Sequence, residues 1–116
     1  MSVRELPVLA QPEADACCAP LAAEVLPEAG AEVLARQFDA LADPVRLRLV
    51  AMLATAAGGA VCACDLVEPV GRSQPTVSHH LAKLVAAGVC VSERRGRNVW
   101  YAVNRGVLEQ LRAALA

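Results

Sequence analysis

A mainly α-helical domain carrying one small β-hairpin is the fold that this 116-residue sequence predicts. Apolar residues make up 56% of the chain and aromatics only 3%, so its core must be built from Ala, Leu and Val, which suits closely packed helices better than a β-sandwich. Apolar side chains recur at helical spacing through most of the chain, and a single late pair of β-prone runs flanks a glycine. The length allows one hydrophobic core and one folded domain.

The elements follow in order. Residues 1–26 read as an N-terminal arm carrying Cys17 and Cys18, because Pro7, Pro12 and Pro20 interrupt it and large apolar groups are few. Residues 27–116 hold the folded domain. A helix is expected after Pro27, with Val33, Leu34, Phe38 and Leu41 on one side, ending near Ala42. Asp43 then precedes Pro44, an N-cap followed by proline at the first helical position, and Val45, Leu47, Leu49, Val50 and Leu53 carry a helix to about Ala57, where Gly58-Gly59 stops it. A short helix from about Cys64 to Val70 is closed by Gly71. Ser73 caps the next helix, Gln74 to Ala87, whose Val77, Leu81, Leu84 and Val85 share one arc; Gly88 ends it. These two helices and their tight turn read as a helix-turn-helix. Val89-Cys90-Val91 and Val99 to Val103 form a hairpin around Arg94-Arg95-Gly96-Arg97-Asn98. A last helix, Arg105 to about Leu115, places Val107, Leu108, Leu111 and Leu115 on one side. Amphipathic helices at both ends of so small a chain predict a homodimer built from them.

Charge is distributed unevenly. Residues 1–43 hold two basic and eight acidic groups, whereas residues 44–116 hold nine basic and four acidic. A positive second part suits nucleic acid. On the second helix of the motif, Gln74, Thr76, Ser78, His79 and Lys83 lie off the apolar arc, where amides, hydroxyls and imidazole can reach base edges or phosphates. His80 sits beside Leu84 and reads as a structural histidine. Arg94, Arg95 and Arg97 at the hairpin tip have the reach of a wing that touches phosphates or a minor groove. The expected partner is double-stranded operator DNA.

Three segments carry a resemblance to a known family: Leu41-Ala-Asp-Pro-Val-Arg-Leu-Arg-Leu49, Ser73-Gln-Pro-Thr-Val-Ser-His-His-Leu81, and Gly88 through Arg97 to Tyr101. They resemble the ArsR/SmtB family of winged helix-turn-helix metalloregulatory repressors over about residues 33–115. The resemblance implies a homodimer that blocks its own operator until a toxic metal or metalloid lowers its affinity for DNA. It also implies that Gln74, Thr76, Ser78 and His79 face the operator.

Cysteines supply the second constellation. Cys17, Cys18, Cys62, Cys64 and Cys90 are an odd set in a chain with no export-signal pattern, so a disulfide framework is not expected and soft-metal ligands or redox thiols are. Val61-Cys62-Ala63-Cys64-Asp65-Leu66 resembles the corresponding element of arsenic, cadmium and lead sensors, although Val67 stands where many arsenite sensors carry a third cysteine. As(III) takes three thiolates and Cd(II) or Pb(II) three or four, so Cys17 and Cys18 are expected to complete a site with Cys62 and Cys64. On a helix, Cys62 and Cys64 would point about 200° apart, so chelation requires that Cys62 precede the helix or that the first turn deform. The inducer expected is As(III) or Sb(III), with Cd(II) or Pb(II) as alternatives, and no cofactor is obligatory. Cys90, between two valines, reads as a buried apolar residue. The resemblance implies no zinc- or cobalt-type site on the last helix, where Glu109 is the sole candidate ligand.

Other classes fit less well. No Gly-rich anion loop or βαβ pattern accompanies the cysteines, so an enzyme is not expected. Beside a Cd(II)- or Pb(II)-responsive repressor of the same fold, a winged helix in which thiol oxidation releases DNA is a further alternative. Charged residues or prolines break every apolar stretch well below the roughly 18 residues of a membrane span, and no signal-peptide layout is present, so the expected location is the cytoplasm without membrane association.

Overall fold

The structure is a computed structural model and describes residues 26–115. Two units divide the chain, Met1–Glu32 and Val33–Ala116. Residues 26–32 of the first enter helix α1, Glu28–Leu41. The second unit continues through α2 (Pro44–Ala54), β1 (Val61–Cys62), a 3-10 turn (Ala63–Asp65), α3 (Val67–Val70), α4 (Gln74–Ala86), β2 (Cys90–Arg95), β3 (Asn98–Val103) and α5 (Arg105–Ala114). Helices thus dominate, and α3, α4 and the β2–β3 hairpin form a winged helix-turn-helix. No helix among the described residues is long and apolar enough to cross a membrane.

Local chemistry sets the boundaries. Asp43 caps α2 as expected, its Oδ1 accepting from the backbone N–H of Val45 at 2.8 Å and of Arg46 at 3.1 Å. These bonds, that of Arg46 first, hold its carboxyl below the ordinary value of 3.8. The helix stops at Ala54 instead of near Ala57. Thr55 marks the end: its N–H still donates to the Ala51 carbonyl at 3.2 Å, which its hydroxyl also meets at 2.9 Å, while the next N–H, that of Ala56, turns to the Leu53 carbonyl at 3.3 Å. The expected helix Cys64 to Val70 is split into a 3-10 turn and α3, because Pro69 has no N–H to donate to the Asp65 carbonyl and can sit only in a first turn. Gly71, at φ +72°, supplies the left-handed turn before Ser73, whose Oγ accepts from the Thr76 N–H and caps α4.

The sheet holds one strand more than the sequence predicts. Its order is β1-β3-β2, all antiparallel, with Val61 opposite Tyr101 and Cys62 opposite Trp100. Across the hairpin, Cys90 faces Val103 and Arg95 faces Asn98, leaving a two-residue turn in which Gly96 takes φ +66° at the first central position.

Leu49, Leu53, Val70, Val77, Leu81, Leu84, Val89 and Cys90 are fully buried and join α2, α3, α4 and the sheet into one core. Arginines tie the elements together from outside. Arg48 donates to the Pro69 and Val70 carbonyls at 2.9 and 3.2 Å, and Arg105 to the Ala54 carbonyl at 2.8 Å. Each thereby satisfies a carbonyl that a helix end leaves orphaned. Helix α1 contributes Ala40 to this core, and α5 lays Val107 and Leu108 against it. On α5, Leu111 is 5% exposed but Leu115, past the last helical residue, is 76% exposed, so the two do not share one environment.

Because Leu81 is wholly enclosed between these elements, Leu81→Ala is expected to cost about 2–5 kcal/mol, measured by urea denaturation at fixed protein concentration.

Candidate nucleic-acid interface and thiol pair

Helix α4 buries Val77, Leu81 and Leu84 and turns Gln74, Pro75, His79, Ala82 and Lys83 to the exposed side, with Thr76 and Ser78 half-buried between. Its N-terminal turn is fixed by Ser73, whose hydroxyl also meets that of Thr76 at 3.0 Å. His80 is half-buried and its Nδ1 lies 3.2 Å from Arg46 Nη1. A guanidinium only donates, so this ring nitrogen accepts. Arg46 Nε meanwhile donates to the Ala40 carbonyl at 2.6 Å, so one side chain joins α1, α2 and α4. The structural role expected for His80 is where the geometry puts it, whereas His79 stands free of that contact.

The hairpin exposes Arg94, Arg95 and Arg97, but not equivalently. Arg95 pairs with Glu93 at 3.1 Å and lies over the Trp100 ring at 4.9 Å. Among the described residues, Arg94 and Arg97 have no such partner. Lys83 is separated from the rest: it lines a shallow groove of about 490 Å³ with Arg36, Asp39 and Arg46, beside the C-terminal half of α4. Gln74 and Ser78, one helical turn apart, instead face a second cavity.

That second cavity, of about 170 Å³, brings together five of the sequence-predicted residues, Cys62, Cys64, Gln74, Ser78 and Arg97, but not Thr76, His79, Lys83, Arg94 or Arg95. Its walls are Cys62, Ala63 and Cys64, Gln74 and Ser78 of α4, and Arg97, Asn98, Val99 and Tyr101 of the hairpin. Cys62 is extended, with φ −69° and ψ 140°, and closes β1, whereas Cys64 begins to wind in the 3-10 turn. The sulfurs therefore do not diverge as on an α-helix. They meet in disulfide contact with the Cα atoms 5.2 Å apart, and the Cys64 backbone N–H donates to Cys62 Sγ at 3.3 Å. The link spans one residue and constrains no loop, so it is not a framework. Cys62 is buried and Cys64 exposed.

Cys17 and Cys18 lie outside the described residues, among which no cluster of three or more His, Cys, Asp or Glu could hold a metal ion. The described donor set is two sulfurs, ringed by amides, hydroxyls and one guanidinium. Cys90 takes no part: it is 1% exposed, and burial pushes its thiol up to about 11. Sequence reasoning missed Asn98 and Tyr101 as cavity walls and β1 as the strand that brings the thiols to them. The β-branched Val61 next to Cys62 was the one local sign.

Known proteins share this fold. The model of the arsR family of bacterial regulatory proteins matches residues 43–90, from the cap of α2 to the first residue of β2. The arsenical resistance operon repressor of Staphylococcus aureus is 37% identical over 71 residues, 61% of this chain and 65% of that protein. The matched part thus spans less than two-thirds of that relative's length. A homodimeric winged helix-turn-helix DNA-binding domain from Mycobacterium bovis superposes with a TM-score of 0.63 at 24% identity, over 75% of this chain and 79% of that one, and shares the fold. The antimony-specific transcriptional repressor AntR superposes with a TM-score of 0.62 at 32% identity, over 78% of this chain and 80% of that one. The chain belongs to the ArsR family. That family consists of DNA-binding transcriptional regulators and not of enzymes. In this ArsR-family chain the matched region includes both Cys62 and Cys64 and all of α4.

Reactivity should divide the cysteines accordingly. In the reduced native protein at pH 8, iodoacetamide is expected to modify Cys64 and to spare Cys90 until denaturant is added, read by mass spectrometry of the peptides.

Proposed function

We propose that this chain is a repressor that binds a dyad operator as a homodimer and is released when As(III) or Sb(III) binds thiolates of Cys62 and Cys64 together with Cys17 or Cys18. The observation that carries this reading is the convergence of both sulfurs with Gln74, Ser78 and Arg97 around one cavity. Gln74, Thr76, Ser78 and His79 would read base edges, with Arg94, Arg97 and, once freed from Glu93, Arg95 on the backbone. Lys83 contributes charge from the far end of α4. The named activities of the staphylococcal and antimony relatives support the inducer class. As(III) needs a third sulfur beyond the two described, which the arm cysteines would supply, and a fourth would accommodate Cd(II) or Pb(II).

A second reading is favoured by one observation, the disulfide contact of Cys62 with Cys64. In it a peroxide takes two electrons from the dithiol, leaving a disulfide and water, and oxidation itself releases DNA. Operator release is the experiment that separates the two. Under reducing conditions, arsenite or antimonite should release the wild-type protein, and Cys62→Ser, Cys64→Ser and at least one of Cys17→Ser and Cys18→Ser should bind operator yet resist release. Release by peroxide that persists with all metal chelated, without release by any ion, would establish the redox reading instead.

Dimerisation is proposed through α1 and α5. Leu111 is buried within the chain, so a charge there would disturb folding and would not report on an interface. Val33, 43% exposed, and Leu115, 76% exposed, are the informative positions. The double variant Val33→Glu, Leu115→Glu is expected to sediment as a folded monomer with weakened operator binding, and an unchanged dimer would place the interface elsewhere.

A further inference from the structure

We propose that the mouth of the thiol cavity is itself part of the operator-binding surface, so that DNA and the thiol ligand exclude one another directly. This rests on the repressor reading and goes further: it makes release a competition for one place and not a signal sent through the dimer.

The geometry behind it is local. Cys64 is exposed, and the same cavity is walled by Gln74 and Ser78 from the N-terminal turns of α4 and by Arg97 and Asn98 from the hairpin tip. These are the elements of a winged helix-turn-helix that must come up against a duplex, the helix entering a groove and the wing meeting the backbone. A duplex touched at once by Gln74 and Arg97 spans the opening between them. Cys64 lies under that span.

The strand register leaves little freedom to move the thiols aside. Val61 and Cys62 are paired with Tyr101 and Trp100 of β3, so the thiol segment and the hairpin travel as one piece. Cys62 cannot withdraw without β3, and Cys64 follows it by only two residues in the 3-10 turn. The chemistry of ligation adds bulk at the same place. When As(OH)3 reacts, each of three thiols gives its proton to an arsenic-bound hydroxide that leaves as water, and three S–As bonds replace three O–As bonds. The product is uncharged, but through Cys62 and Cys64 alone it brings arsenic into a space of about 170 Å³ walled by Gln74, Ser78 and Arg97. Gln74 and Arg97 cannot close on a duplex over a filled cavity.

The test uses a thiol label in place of an ion. The full chain carrying Cys17→Ser and Cys18→Ser, kept reduced, is reacted with a maleimide dye, and the modification rate at Cys64 is followed by mass spectrometry at increasing operator concentration. Direct exclusion slows labelling in proportion to operator, by about one hundredfold at one hundred times its Kd, with no plateau, and random-sequence DNA protects only in proportion to its weaker binding. Cys64 fully labelled beforehand should lose operator binding. A labelling rate that is unchanged, or that settles at a plateau while operator is still being added, overturns the inference and leaves the repressor reading standing. Failure of the chain to bind any specific duplex overturns both.

Discussion

The antiparallel pairing of Val61-Cys62 with Trp100-Tyr101 is the constraint on which the arrangement of the site depends. It holds Cys62 in extended backbone, and the chain must then turn within one residue to start the 3-10 segment, which brings the Cys64 sulfur back against that of Cys62. An α-helix through both positions would separate them by about 200°. Pro69 protects the arrangement from the other side, because it prevents α3 from growing back through Asp65 and absorbing the cysteines into a regular helix. The same pairing fixes the thiol segment to the hairpin, whose opposite strand carries Arg94 and Arg95. Site and wing are consecutive parts of one sheet.

What was legible in the sequence is what short-range chemistry decides. Asp43-Pro44, Gly71 and Ser73 announce the ends of α2, α3 and α4 because caps and turns need only their own neighbours. The apolar arc of α4 and the Arg95–Asn98 turn are periodic or local in the same sense. β1 was not legible: two residues are too few to show alternation, and the strand exists only because β3 offers a free edge. Leu111 and Leu115 share a helical spacing, yet one is buried and the other lies beyond the helix end, a difference that tertiary packing alone creates. The thiol pair was half legible, since the spacing excluded a helical chelate but could not say which partner would straighten the chain.

Charge shows a comparable division. The basic excess of residues 44–116 suggests a surface for nucleic acid, but Arg46, Arg48 and Arg105 spend their donors on the carbonyls of Ala40, Pro69, Val70 and Ala54. Those guanidiniums hold helix ends in register and are not interchangeable with lysine, whose compact ammonium lacks the rigid planar fork that lets Arg48 meet two carbonyls through separate nitrogens. Arg95 is likewise engaged along its own hairpin by Glu93 and Trp100. Within residues 44–116, the cations with no such partner among the described residues are Lys83, Arg94 and Arg97, and the salt dependence of any DNA complex depends on how many of the others are recruited as well.

Two sulfurs held together by a sheet and a tight turn are a different starting point from two sulfurs on a mobile loop. Their relative position is settled by the backbone before any ligand arrives, so a thiophilic ion that bridges them need order only its remaining donor. Under the proposed reading that donor is Cys17 or Cys18, and fixing it is the remaining cost of closing the site. Affinity for the inducer would then be set mostly by the arm, whereas the effect on DNA would be set by what the closed site displaces, namely Gln74, Ser78 and Arg97 at its rim. Binding strength and regulatory amplitude would reside in different parts of the chain, the first tunable by residues 1–26 without disturbing the second. A fold that places its thiols at the junction of reading helix and wing needs no longer path than that.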